Sequence, residues 1–109
     1  MKITLEISPD QLFAINSMMA MLDGLNFQSQ PRHLKSTVAI CLELREQLLK
    51  KAIEKRLQTK AFKLKLSYYK ADALWRYLDE FYIFFDFATG SYEENVWRQI
   101  SNELHQKLV

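Results

Sequence analysis

Imidazole side chains are the first place to look for chemistry at neutral pH, and this sequence has two, His33 and His105. His33 lies in a stretch without periodicity, and His105 falls on the polar face of the last helical stretch. Neither has a serine elbow or a carboxylate at a spacing that would build a proton relay, so both read as solvated surface groups. One cysteine, Cys41, and two histidines in no ligand spacing cannot supply the common zinc sets, so no metal is expected. The only glycines are Gly24 and Gly90, which rules out a Walker-type phosphate loop and a dinucleotide fingerprint. The expectation is a protein without cofactor that is not an enzyme.

Charge offers more. Asp72, Asp79 and Asp86 recur every seven residues, and with Trp75 and Tyr82 they would line a polar seam along one helix. Such a row usually meets basic residues of a neighbouring helix, and the best candidate partner is Arg45. Arg45 falls near the centre of an apolar helical sector formed by Val38, Cys41, Leu48 and Ala52, where an arginine needs an anion. An internal carboxylate is the preferred partner for it, ahead of a bound anion or an acid of another protein.

Residues 32–76 carry twelve Lys and Arg against four acids, a net +8, while residues 1–31 carry −2 and residues 77–109 carry −4. Within the basic middle, Lys50, Lys51, Lys55, Arg56, Lys60, Lys63 and Lys65 could neutralise phosphates, with Tyr68 and Tyr69 just beyond as stacking groups. The plainer reading is a lysine-rich helix end that complements the helix dipole. Nucleic-acid binding through segment 50–70 is therefore the second functional reading.

The first functional reading comes from Phe81-Tyr82-Ile83-Phe84-Phe85-Asp86-Phe87, which is apolar around its whole circumference if helical. Phe81 and Phe85 continue a stripe begun by Ala71, Leu74 and Leu78. That leaves Tyr77, Ile83, Phe84 and Phe87 needing a second covering surface, either the last helix or another chain. A strand over 81–88 is the rival assignment, since aromatic and β-branched residues favour it. The unbroken stripe favours helix.

The elements that must position these residues follow from period and caps. Lys2 to Ile7 alternate, with Ile3, Leu5 and Ile7 on one face, and Ala61 to Leu66 alternate likewise, so both read as half-buried strands. Ser8, Pro9 and Gln11 make an N-cap, a first-turn proline and a capping box, and Leu12, Ile15, Met19 and Leu22 give the helix its stripe before Gly24. A loop over 25–33 precedes a long helix from about 34 to 57. A third helix spans about 68–87, and a fourth opens at Ser91 with Glu94 as its capping partner.

Leu5-Glu6-Ile7-Ser8 then helix is echoed by Leu64-Lys65-Leu66-Ser67 then helix, so units 1–58 and 59–109 read as a pseudo-repeat of strand, helix, helix within one domain. Antiparallel pairing would place Glu6 near Lys63 or Lys65. The fold class expected is α+β, mostly helical: a two-stranded antiparallel ribbon packed on four helices, with an all-α bundle as the alternative. Cys41 between Ile40 and Leu42 suits a reducing compartment, and the N-terminus lacks the apolar core of a signal peptide. The longest charge-free run, Gln11 to Leu22, is too short and too polar to span a bilayer, so a cytoplasmic protein with no membrane partner is expected. The function expected is protein–protein interaction, as a homo-oligomer or an accessory subunit.

Overall fold

Two short alternating strands can bury one face only if they pair with each other and rest on helices. The computed structural model describes residues 1–109 and pairs β1 (Lys2–Ile7) with β2 (Phe62–Ser67) in this way. The pairing is antiparallel and runs from Lys2 opposite Ser67 to Ile7 opposite Phe62, with Leu5 facing Leu64 near the centre. Ile3, Leu5, Ile7, Leu64 and Leu66 are buried beneath the ribbon. On its outer face Glu6 sits directly across from Lys63, and Thr4 across from Lys65.

Helix α1 (Pro9–Met19) starts with a complete capping box. The Ser8 hydroxyl accepts the Gln11 N–H at 3.1 Å, and the Gln11 side-chain oxygen accepts the Ser8 N–H at 2.9 Å. Past Met19 the coil tightens into a 3-10 stretch, Ala20–Gly24, and a second 3-10 turn covers Phe27–Ser29. Helix α2 (Arg32–Glu54) begins earlier and ends sooner than its apolar pattern suggests. The second unit follows with α3 (Tyr68–Glu80), a single turn α4 (Tyr82–Phe85) and α5 (Tyr92–Leu108). The core joins Leu12, Ile15 and Met19 of α1 with Cys41, Leu44 and Leu48 of α2, Leu74 and Leu78 of α3, and Val96, Ile100 and Leu104 of α5.

The third helix is therefore not continuous to Phe87: it breaks at Phe81, and the fold has five helices rather than four. In an unbroken helix the Leu78 carbonyl would accept the N–H of Tyr82. Here the indole N–H of Trp97, from α5, donates to that carbonyl at 2.8 Å. The chain re-forms one turn and stops at Asp86, whose backbone is left-handed (φ 52°, ψ 49°). A run of Tyr, Ile, Phe and Phe has little intrinsic preference for helix, so it yields to a side chain that takes its acceptor.

Helix α1 ends under a similar hold. Tyr77, assigned from sequence to an interface, is fully buried, and its hydroxyl donates to the Met18 carbonyl at 2.7 Å. Carbonyls in the last turn of a helix lack regular partners, which makes a buried phenol at this place useful. Its ring stacks on Phe81 at 4.9 Å and meets Phe85 at 5.7 Å, which anchors the break point of α3 in the core.

The free edge of β1 is covered from α5. Lys107 donates its ammonium to the Thr4 carbonyl, and the Glu103 carboxylate accepts the Glu6 N–H at 3.5 Å. The same two side chains pair with each other at 3.1 Å.

Replacing Tyr77 by phenylalanine keeps the ring and strands the buried Met18 carbonyl. The expected outcome is an unchanged far-ultraviolet circular dichroism spectrum and a loss of about 1–3 kcal/mol of unfolding free energy in a urea titration.

Candidate functional site

Where the sequence leaves apolar side chains without cover, the structure shows what remains at the surface. Of the four residues assigned to an interface, Tyr77 is core, as described, and Phe87 is half-buried against Tyr82 and Phe85. Ile83 and Phe84 stay outside, 77% and 67% exposed on the single turn α4. The break at Phe81 explains the split: it swings the next turn off the axis of α3, so its outward residues leave the core.

Phe84 forms a ridge between two grooves. One is floored by Ala14, Met18 and Met21 and rimmed by Phe87, Asp86 and Glu93. The other is bounded by Met21, Leu25, Gln30 and Phe81. The first groove therefore carries an acidic rim, whereas no charged residue lines the second.

A carboxylate hub fixes the ridge from behind. Glu94 accepts the Gly90 N–H at 2.9 Å and the Tyr82 hydroxyl at 3.2 Å, and Arg98 lies 3.8 Å away. The Gly90 N–H, more than any other contact, holds the Glu94 carboxyl below the usual carboxylate range. Ser91 caps α5 by accepting the Glu94 N–H at 3.2 Å, so the capping partner reaches one residue further back than a regular capping box. Tyr82 also packs on Trp97 at 4.2 Å. The sequence pattern singled out segment 81–87 as apolar all round but not its break into a separate turn, and the groove floor of Ala14, Met18 and Met21 was missed. Its signal was present, since these residues lie off the main stripe of α1.

Arg45 meets a carboxylate of its own unit and not one of the α3 row. Its side chain is 14% exposed, and the guanidinium forms a fork to Asp23, at 2.9 and 3.2 Å, while a third N–H donates to the Asn16 carbonyl at 2.9 Å. The earlier 3-10 stretch brings Asp23 there, a geometry invisible to the helical period. Asp72 instead pairs with Arg76 on its own helix, and Trp75 of the expected seam stacks on His105 at 5.5 Å.

The basic residues divide. Lys50 and Lys51 pair with Glu46 and Glu54, Lys55 lies over the Phe62 ring at 5.1 Å, and Arg56 donates to the Ile53 carbonyl at 2.8 Å. Lys60, Lys63 and Lys65 are exposed without an ion-pair partner. Cys41 is buried, its thiol donating to the Ala73 carbonyl at 3.5 Å, and burial pushes its pKa up to about 12. No three His, Cys, Asp or Glu side chains converge as a metal set, and no helix is long and apolar enough to cross a membrane.

Two titrations follow. The Arg45 fork holds the Asp23 carboxyl below its ordinary 3.8, so its contribution to stability is present above that value and lost as pH falls through the lower folded value. Carboxyl NMR should place Asp23 below the ordinary range, and Arg45→Gln should return it there. The Cys41 thiol should resist alkylation at pH 8 in the folded protein and react at once in denaturant, because the thiolate is the nucleophile. Rapid labelling of the native chain would contradict its burial.

Compared with family models, with curated proteins and with solved structures, the chain matches none.

Proposed function

We propose that this chain is a non-enzymatic interaction protein whose partner is a second copy of itself, docked through the Ile83–Phe84 ridge. The observation that carries the reading is the exposure of these two large apolar side chains on a turn held rigidly from behind. A loose turn could fold its apolar residues away; this one is tied to α5 by Tyr82 and Glu94.

Shape supports a copy as the partner. A ridge flanked by grooves is self-complementary, because a two-fold axis along the ridge sets Phe84 of each chain beside the groove of the other. Burying two such side chains per chain contributes about 6–12 kcal/mol for the pair, against an association cost of about 4–15 kcal/mol. That balance corresponds to a reversible dimer whose population depends on concentration.

Sedimentation across a wide concentration range should show reversible dimerisation. The double variant Ile83→Ser, Phe84→Ser should keep the native circular dichroism spectrum, since neither side chain is core, and stay monomeric throughout. A native chain that remains monomeric at the highest concentration would exclude the copy as partner.

A further inference from the structure

The two edges of the ribbon are not treated alike. In an antiparallel ladder, successive residues alternately turn their N–H and C=O toward the neighbouring strand and away from it. The bonds from Lys107 and Glu103 identify Thr4 and Glu6 as outward-turned positions of β1. The Tyr68 N–H, which donates to the Met1 carbonyl at 3.2 Å, fixes the same phase at the ribbon's end. Lys65 and Lys63, which face Thr4 and Glu6, must therefore turn their backbone groups to the far edge of β2.

Nothing meets them there. The N–H and C=O of Lys63 and Lys65 have no hydrogen-bond partner, and both side chains are exposed and form no ion pair, Glu6 standing across from Lys63 on the β1 side only. An open strand edge is a template for another strand. Lysines on it select the occupant. A second copy pairing β2 to β2 would set lysines against lysines, which destabilises a cross-strand pair. An acid opposite each lysine would satisfy both charge and backbone.

We propose that the free edge of β2 takes up an extended acidic segment of another protein as a third strand. Its backbone pairs with the four open groups of Lys63 and Lys65. Its acids alternate along the strand and lie on the outer face beside the two lysines. The residues between them are apolar and point inward beside half-buried Phe62. A nucleic acid would meet the lysine charges and leave the backbone groups unpaired, so the edge fits a peptide. This surface is on a different element from the Ile83–Phe84 ridge and does not depend on dimerisation.

The test uses the full chain, labelled with nitrogen-15, and an end-blocked peptide of about seven residues alternating Glu and Val. The amides of Lys63 and Lys65 should shift and exchange more slowly on titration, those of Ile83 and Phe84 should not, and a Lys/Val peptide should have no effect. Lys65→Pro removes one outward N–H at an edge position that tolerates proline, and should abolish the response. Lys63→Glu with Lys65→Glu, which leaves the backbone intact, should weaken the acidic peptide about tenfold or more and admit the Lys/Val peptide instead. Absent shifts, shifts that survive Lys65→Pro in a folded chain, or indifference to the charge reversal would each overturn the proposal. So would a single-stranded oligonucleotide that displaces the peptide and binds the proline variant equally.

Discussion

A two-stranded ribbon has no interior of its own, and most of this molecule is arranged around that deficiency. Leu5 and Leu64 face each other at its centre, and every apolar side chain beneath them needs a helix to rest on. The two units supply those helices in the same order, each strand running into a helix through a serine. Corresponding positions are buried in both: Leu12 with Ala71, Ile15 with Leu74, Met19 with Leu78. The buried strand faces and first helices of both halves share one core.

The equivalence extends to how the first helices end. Helix α1 stops where the Tyr77 hydroxyl takes the Met18 carbonyl, and α3 stops where the Trp97 indole takes the Leu78 carbonyl. In both places a side chain from another helix supplies the donor that the next helical turn would have provided. After α1 the chain tightens and places Asp23 on Arg45; after α3 it turns outward and exposes Ile83 and Phe84. A similar device thus yields a forked ion pair to an exposed aspartate in one unit and an apolar surface ridge in the other.

Much of this is legible in the residues. The alternation of Lys2–Ile7 and Phe62–Leu66 set both strands and their pairing, and caps at Ser8 and Ser91 mark two helix starts. Period cannot report a helix ended by a distant donor, so the break at Phe81 was hidden by a stripe that continues through Phe85. Tyr77 looked surplus for the same reason: its place in the core depends on where α1 stops, not on its own helix. Arg45 needed an acid, but which acid depended on a 3-10 turn whose residues carry no helical pattern. The open edge of β2 was equally out of reach, because it is defined by what α5 does for β1 and no element does for β2.

The cover that Lys107 and Glu103 give to β1 has a consequence for the order of assembly. During synthesis β1 emerges before the strand it pairs with, which follows more than fifty residues later, and its guard Lys107 lies 103 residues beyond Thr4. Until then β1 is an alternating apolar strand with both edges bare, the kind of segment that pairs with the wrong neighbour. Contacts this distant in sequence slow folding, since loop closure precedes any compensating burial. The helices of the first unit can form locally, but the sheet must wait for β2, and the cover of its β1 edge for α5.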